Sequence, residues 1–336
     1  MIRLALVGCG VHSEVAHAAP LARYVASHPG EVELAAACDL DVAKAREFQR
    51  KYGFARAYDD MQKMLAAEKP DGCVCVVPVE LIARVNPVLL RAGVPCTVEK
   101  PPGASREEVR GLAELARTTG TPHLVSANRR FSPLLLRAVE WARAQGPLHY
   151  VRGTMIRHAR REPSFIWGTA FHAVDALRFV AGEVRDFRLG VSQKPGLSAR
   201  WYDIAFEFAG GASGRLEILP TAGVAEESYE LFGEGYRARL VAPVRQGMFQ
   251  PGTSLQCWRE NRLELSAVSP PDEPVDVVGG PYGEVEEFVA ALREKRSPRP
   301  TLDDVLPSAE LCFALAEAAG VRPDGDMDRK PSASGT

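Results

Sequence analysis

The sequence predicts an α/β fold in two parts, an N-terminal doubly wound parallel sheet and a C-terminal α+β region with a large, mostly antiparallel open sheet. Two observations predict it. Short apolar runs alternate with amphipathic helical stretches as far as residue 126, and runs of period two, separated by glycine-rich turns, dominate after residue 184. Parallel strands need crossover helices, whereas alternating runs joined by tight turns are typical of antiparallel strands.

The first part contains five apolar runs with helical patterns between them. The predicted strands are 2–7, 32–38, 72–77, 94–98 and 123–126. The predicted helices are 14–27, 41–52, 59–67, 80–92 and 105–118. Apolar runs this short and continuous are typical of strands that are covered on both faces.

The second part begins with a helix at 133–144, a strand at 148–158 and a helix at 169–180, which Thr169 is expected to cap. Alternating runs such as 203–208 and 215–219 follow, and helices at 282–295 and 303–319 complete the pattern. At 336 residues the chain is long enough for two domains. We predict domains at 1–126 and 127–322, and a disordered polar tail at 323–336.

Composition excludes several classes of partner. Hydrophobic residues make up 46% of the chain, charged residues 25%, and the formal net charge is -2, without the basic excess that nucleic acid or an anionic membrane demands. No apolar stretch reaches the roughly 18 residues of a membrane span, so a soluble, cytoplasmic protein is expected. The seven cysteines form no C-x-x-C pair, and Cys73 and Cys75 are expected on opposite strand faces, which argues against a metal site.

A glycine-rich loop follows the first predicted strand and precedes a helix. It reads Gly8-Cys9-Gly10-Val11-His12-Ser13, the G-x-G-x-x-small pattern of a Rossmann dinucleotide loop. Gly8 permits a tight turn, Gly10 lets the backbone approach a pyrophosphate, and Ser13 is small enough for helix and strand to pack closely. The phosphates would lie at the helix N-terminus, beside Val11 and His12. The alternative is a turn that binds nothing.

Asp39 ends the second apolar run, where a carboxylate can accept hydrogen bonds from the adenosine ribose hydroxyls. A negative charge there repels a 2′-phosphate and favours NAD, although Lys44 and Arg46 nearby keep NADP open. The alternative role, capping the next helix, fits Asp41 better. Asp39 lies further from the glycines than the usual ~20 residues, which we attribute to a long first helix.

Four motifs together resemble the Gfo/Idh/MocA family, named for glucose-fructose oxidoreductase and inositol dehydrogenase. They are Val98-Glu99-Lys100-Pro101-Pro102-Gly103, Asn128-Arg129-Arg130-Phe131, His172-Ala173-Val174-Asp175 and Tyr282-Gly283-Glu284-Val285-Glu286-Glu287-Phe288. The resemblance runs from residue 2 to about residue 320. It implies an oxidoreductase that uses NAD(P), a second domain that supplies the substrate site, and a homodimer or homotetramer formed through the C-terminal sheet.

The resemblance also implies roles for individual residues. Lys100 is the expected catalytic-site lysine, followed by a cis peptide to Pro101, and its ammonium can stabilise a developing alkoxide. His172 is the expected general base, since an imidazole titrates near neutrality. Pro78 and Glu99 join the cofactor site, because ligands of such sheets bind beyond the carboxyl ends of the strands.

The remaining predicted contacts are with the substrate. The candidates are Asn128, Arg129, Arg157, Arg160, Trp167, Gly168 and Asp175. The arginines suit a substrate carboxylate or phosphate, unless they only form a solvated strand end. Trp167 could stack on a sugar ring or belong to the core. Asp175 could orient a neighbouring group or have a structural role. Gly168 stands where sugar dehydrogenases of the family commonly carry an acid, and Ile82 where they often carry histidine.

The function predicted from these residues is hydride transfer between a nicotinamide and a secondary alcohol of a sugar, polyol or sugar acid. Two alternatives stay open. One is an elimination, epimerisation or glycoside cleavage in which bound NAD is reduced and reoxidised within a turnover, and the missing acid at Gly168 permits it. The other is a dinucleotide-binding sensor without turnover, against which the retention of Lys100 and His172 argues.

Overall fold

The computed structural model describes residues 1–322 and contains two β-sheets, one of six strands and one of nine. The predicted tail at 323–336 lies outside the described residues. The six-stranded sheet is parallel and the nine-stranded sheet is mostly antiparallel, which confirms the predicted fold class. No helix within 1–322 is both long and apolar enough to cross a membrane.

The first sheet has the strand order β3-β2-β1-β4-β5-β6, in which the order reverses beside β1. Its strands are β1 (Ile2–Val7), β2 (Val32–Cys38), β3 (Arg56–Tyr58), β4 (Gly72–Cys75), β5 (Cys96–Val98) and β6 (His123–Val125). Five of them were predicted. The edge strand β3 was missed because three residues, none of them fully buried, leave no apolar run to detect.

Helices cover both faces of this sheet. They are α1 (Val11–Ser13), α2 (Ala19–Ser27), α3 (Val42–Tyr52), α4 (Met61–Glu68), α5 (Val79–Arg91) and α6 (Arg106–Thr119). A π-helical turn, Glu14–Ala18, joins α1 to α2, so the first helical stretch begins three residues before its predicted start at residue 14. Asp41, Asp60 and Ser105 cap α3, α4 and α6 with their side chains.

The second sheet has the order β15-β14-β12-β11-β7-β10-β9-β8, with β13 paired to β12. Its strands are β7 (Tyr150–Ile156), β8 (Val184–Ser192), β9 (Trp201–Phe208), β10 (Ser213–Leu219), β11 (Glu226–Gly233), β12 (Tyr236–Arg245), β13 (Met248–Phe249), β14 (Ser254–Arg259) and β15 (Arg262–Val268). Neighbouring strands are antiparallel except β7 and β10. Side chains alternate between buried and accessible along β12, as expected for a sheet with one covered face.

Six helices lie in the second part of the chain that the structure describes. They are α7 (Pro133–Gln145), α8 (Phe165–Gly168), α9 (Phe171–Ala181), α10 (Val275–Val278), α11 (Pro281–Glu294) and α12 (Leu302–Ala318). Helices α7 and α9 pack on the sheet. Helix α11 returns to the first sheet, where Phe288 and Val289 share a core cluster with Leu4 and Leu6. We keep residue 126 as the proposed domain boundary, although the late helices α11 and α12 both pack on the first part of the chain.

The cysteines are core residues. All seven are buried, and none forms a disulfide. The expectation that Cys73 and Cys75 point to opposite faces is wrong, because both pack in one core cluster while Val74 packs in the other. Residues two apart in a strand share a face.

Candidate active site

The loop between β1 and α1 has the geometry that its glycines predict. Gly8 has a φ of +91°, and a Cβ there would lie 1.8 Å from the carbonyl oxygen of Val76, so a side chain does not fit. A Cβ on Gly10 would meet open space. Within the described chain no side chain caps α1, and its first N–H groups border an open groove, which suits phosphate oxygens.

Asp39 ties the end of β2 to this loop. Its carboxylate accepts hydrogen bonds from the backbone N–H of Cys9 at 2.7 Å and of Asp41 at 2.9 Å. Asp41 caps α3 by accepting from the N–H of Ala43, as predicted. A carboxylate has about four acceptor positions, so Asp39 retains acceptor capacity for ribose hydroxyls.

A groove of about 380 Å³ runs from the glycine loop along the carboxyl ends of β1, β4 and β5. Seven residues predicted for the cofactor line it: Gly10, Val11, His12, Ser13, Pro78, Glu99 and Lys100. Gly8 and Asp39, the other two, are not among its lining residues. Ile82 lies in the apolar wall of the groove, together with Val76, Val77 and Val79. We call this groove the cofactor trench.

Lys100 follows β5, and the peptide bond between Lys100 and Pro101 is cis. The lysine lines both the cofactor trench and a second cavity next to it. Burial lowers the pKa of its ammonium group, and the neighbouring Glu99 carboxylate opposes that shift. Lys100 therefore stands at the junction of the two cavities.

His172 lies on α9 and is buried. Burial, then Lys100 and Arg129, lower the pKa of its imidazole well below the ordinary value, so the ring is neutral and able to accept a proton at neutral pH. The expected cap at Thr169 is wrong, since the helix begins after Ala170. The Thr169 hydroxyl accepts a hydrogen bond from Arg160 at 3.0 Å instead.

The second cavity has a volume of about 250 Å³, and we call it the substrate cavity. Residues from both parts of the chain line it, among them Lys100, Ser126, Asn128, Arg160, Thr169, His172 and Glu284. His12 and Glu99 border it and the trench alike. A larger pocket, of about 470 Å³, lies beside Arg161 and Arg200, but neither Lys100 nor His172 lines it. The paired trench and cavity are therefore the candidate active site.

Comparisons with known proteins agree with this geometry. Residues 2–126 match the family model described as "Oxidoreductase family, NAD-binding Rossmann fold", the Gfo/Idh/MocA model. D-glucoside 3-dehydrogenase of Escherichia coli is 31% identical over 131 residues, which cover 39% of this chain and 36% of that protein. Rhizopine catabolism protein MocA of Rhizobium meliloti is 26% identical over 333 residues, 94% of this chain and 93% of that one.

The N-terminal part of the chain thus matches the Gfo/Idh/MocA oxidoreductase family over residues 2–126. A solved structure described as levoglucosan dehydrogenase in complex with NADH and L-sorbose has the same fold, with a TM-score of 0.78, 18% identity and coverage of 95% of this chain and 96% of that one. The N-terminal part is thus an NAD-binding Rossmann domain, as the resemblance implied.

Five residues expected to contact the substrate do not line its cavity. Arg129 and Arg157 are buried around Glu227, with Nη2 to Oε1 distances of 2.7 and 2.5 Å. Burial alone would raise the pKa of Glu227, but the two guanidinium groups lower it to about 2. The arginines thus pair with a core carboxylate, a role that keeps their side chains out of contact with a substrate.

Trp167, Asp175 and Gly168 are the other three. Trp167 is buried against Phe313, with ring centroids 5.7 Å apart, so its ring is part of the core. Asp175 accepts two hydrogen bonds from Arg130, at 2.8 and 2.7 Å, and one from Ser308 at 2.6 Å. Gly168 is not among the lining residues either, although Thr169 beside it is.

Glu284 is the main residue of the site that was not predicted. Gly280, with a φ of +100°, lets the start of α11 approach the chain at Asn128, since a Cβ on Gly280 would lie 2.0 Å from the Asn128 carbonyl oxygen. Glu284 follows one turn later and lines the substrate cavity. A signal existed: Pro281, Glu284, Val285 and Phe288 have the spacing of one apolar helix face, on which a carboxylate is unusual.

His17, on the π-helical turn, was also missed. Its Nε2 donates to the Glu99 carboxylate at 2.5 Å, and the Nε2 of His12 lies 3.5 Å from the same oxygen. Burial alone would raise the pKa of Glu99, but His12 and His17 lower it well below its ordinary value. No metal site was expected, yet among residues 1–322 these three could offer ligand atoms, which lie within 4.8 Å of one another, to a metal ion.

Proposed function

We propose that this protein is an NAD-dependent dehydrogenase that oxidises a secondary alcohol of a sugar, polyol or sugar acid. The observation that carries the proposal is the position of Lys100, which lines both the cofactor trench and the cavity that contains His172. A proton-handling pair thus lies where a nicotinamide in the trench would meet a substrate in the cavity.

The cofactor is held by the Rossmann loop and Asp39. Phosphate oxygens fit the open space beside Gly10 and the free N–H groups of α1. The Asp39 carboxylate, fixed by the N–H groups of Cys9 and Asp41, accepts from ribose hydroxyls and disfavours a 2′-phosphate. NAD held there would supply the acceptor for the hydride that leaves the substrate carbon.

His172 and Lys100 manage the charge on the substrate oxygen. Burial and neighbouring cations hold the pKa of His172 well below the ordinary value, so its imidazole is neutral before the reaction and is the group that takes the hydroxyl proton. The ammonium of Lys100 donates a hydrogen bond to the same oxygen while negative charge develops on it. In the reverse direction the protonated His172 returns the proton to the alkoxide.

The cavity limits the size and chemistry of the substrate. A volume of about 250 Å³ lies below the roughly 300–1,000 Å³ typical of pockets for drug-sized ligands, and suits a molecule with one sugar-sized ring. Arg160 is exposed at its edge, where a guanidinium suits a carboxylate, as in a sugar acid. Two of the similar proteins bear the names of dehydrogenases that act on a glucoside and on levoglucosan.

A purified sample tests the proposal directly. Mass spectrometry identifies any dinucleotide that the protein carries, and a panel of polyols, aldoses and aldonic acids is then read at the absorbance of reduced nicotinamide. We expect NAD-dependent reduction with at least one panel member, lost in Lys100→Met and His172→Ala. Product formation without net reduction, or cofactor binding without any turnover, would contradict it.

We also propose that the chain forms a homodimer or homotetramer through the second sheet. The outward face of that sheet joins Arg152 and Arg237 to Glu230 and pairs the rings of Tyr150 and Phe232 at 6.0 Å. Such a mixed face suits an isologous interface. Light scattering at micromolar concentration should give at least twice the chain mass of 36.5 kDa, and a single-chain mass would exclude the assembly.

A further inference from the structure

Two polar side chains of the substrate cavity are buried without a hydrogen-bond partner in the described part of the chain. They are the hydroxyl of Ser126 and one carboxyl oxygen, Oε1, of Glu284. Each residue is only 5% exposed. Native proteins pair nearly all such groups, so two unpaired groups on one cavity wall indicate a ligand that pairs them.

The amide of Asn128 and the guanidinium of Arg160, which also line the cavity, already make hydrogen bonds. The amide of Asn128 donates to the Gly279 carbonyl at 2.9 Å and its carbonyl oxygen accepts from Arg129 at 3.3 Å. Arg160 donates to Thr169. Among the buried side chains of the cavity wall, Ser126, which follows β6, and Glu284, on the first turn of α11, therefore supply the available hydrogen-bonding capacity beyond Lys100 and His172.

The charges around Glu284 determine which chemical group fits. The ionisable groups that face it are Glu99, Lys100 and Arg129. His17 lines a small enclosed pocket together with Ser126 and Glu284. Burial and Glu99 raise the pKa of Glu284 well above its ordinary value, against Lys100 and Arg129. A protonated carboxyl and a hydroxyl can each donate and accept, and so does an alcohol.

We propose that Ser126 and Glu284 form a subsite that binds a second hydroxyl of the substrate, distinct from the one oxidised between Lys100 and His172. The subsite rests on the proposed function for the position of the reacting hydroxyl, although ligand binding to it does not require turnover. It makes Glu284 a specificity-determining residue, supplied by a late helix, in a cavity where residue 168 brings no carboxyl group.

The subsite predicts selectivity for polyhydroxylated ligands. An analogue without the bound hydroxyl leaves both Ser126 and Glu284 unpaired in a buried wall, which costs roughly 10- to 100-fold in affinity. A single alcohol therefore binds poorly even though it carries an oxidisable group. The competing occupant is one water molecule in the small enclosed pocket that Ser126, Glu284 and His17 share, which has room for about one.

Calorimetry on the full-length, NADH-loaded protein tests the subsite. The probes are myo-inositol, D-glucose and 1,5-anhydro-D-glucitol, with the monodeoxy analogues of whichever binds best. Ser126→Ala and Glu284→Ala should each weaken that ligand about 10- to 100-fold. Their effect should disappear with one monodeoxy isomer, the one that lacks the bound hydroxyl. Glu284→Gln should retain most affinity, since an amide also donates and accepts.

Glu286→Ala is the matched control, because Glu286 is exposed on the same helix. It should bind like the wild type, and unchanged NADH affinity in every variant reports an intact fold. Equal weakening across all deoxy isomers, as expected for a bound water only, would overturn the subsite, as would wild-type binding by Glu284→Ala or no binding of any probe. Selective binding without oxidation would support the subsite while contradicting the proposed dehydrogenase.

Discussion

The cofactor trench and the substrate cavity adjoin at Lys100 but are built differently. The trench takes its lining from residues 10–13, 76–82 and 99–100, all beyond the carboxyl ends of three neighbouring parallel strands. The substrate cavity adds residues from 126–128, 160–172, 246–248 and 281–284, which come from helices and loops far apart in the chain. One cavity follows from a local motif, and the other requires the complete fold.

Their chemistry differs in the same way. The trench offers backbone N–H groups and an apolar wall of Val76, Val77, Val79 and Ile82, which bind without changing protonation. The substrate cavity buries ionisable groups. Burial lowers the pKa values of Lys100 and His172 and raises the pKa of Glu284, so it favours the neutral form of each group. Under the proposed function, cofactor binding would rely on backbone geometry, and proton transfer on the desolvation of side chains.

Substitution of the proton-handling pair should have the largest effect, and it is the strongest test of the contrast between the trench and the cavity. Lys100→Met and His172→Ala should each lower kcat about 10²- to 10⁴-fold, and the double variant should be little worse than the poorer single variant, because the two act on one oxygen. NAD affinity should remain near that of the wild type. Steady-state kinetics and NAD titration measure both, and near-normal turnover in either single variant would refute the assignment.

Substitutions of Arg157 and Arg160 test whether each arginine has a role in the core or in substrate binding. Arg157→Met should reduce the free energy of unfolding by about 3 kcal/mol, at the lower end for a broken buried ion pair, because Arg129 still faces Glu227. Arg160→Met, at an exposed position, should change it by less than about 1 kcal/mol and should reduce kcat/KM instead. Urea unfolding distinguishes them. A stable Arg157→Met that loses substrate affinity would reverse the roles.

The sequence predicted the trench better than the cavity for a physical reason. Gly8, Gly10 and Asp39 act through backbone conformation and strand ends, which short-range patterns encode. Arg157 and Asp175 were expected at the substrate because a charged side chain in sequence does not reveal its partner. Glu227 and Arg130, which pair with them, lie 70 and 45 residues away.

The same limit applies to the missed groups. Glu284 reaches the cavity only because α11 packs back on the first sheet and Gly280 lets it approach Asn128. The strand β3 and the π-helical turn, by contrast, were missed because they are short departures from regular patterns. Long-range packing, rather than motif recognition, decides which acid enters the cavity.

Asp39→Ala tests the trench with a smaller effect. Loss of the carboxylate should weaken NAD by about 1 to 3 kcal/mol, the scale of a charged hydrogen bond lost from a partly buried site, and weaken NADP much less. Lys44→Ala, at an exposed neighbouring position, serves as a control for NAD affinity. Fluorescence titration with both reduced cofactors provides the measurement. Equal weakening of the two, or a wild-type preference for NADP, would argue against the role of Asp39.

The smallest expected effect concerns the pH dependence of kcat/KM, which should change little across the usual histidine range. Burial first, and then Lys100 and Arg129, hold the pKa of His172 well below its ordinary value, so the imidazole stays neutral as the pH falls through the usual histidine range. A base with an ordinary pKa near 6.5 would lose about tenfold in kcat/KM for oxidation between pH 7.5 and 5.5. We expect less than about a twofold loss over that range, with the decline setting in at lower pH. An exposed histidine offers the control, since His158→Gln should leave the profile unchanged. A tenfold fall centred near pH 6.5 would mean that His172 is either solvated in the working enzyme or not the base.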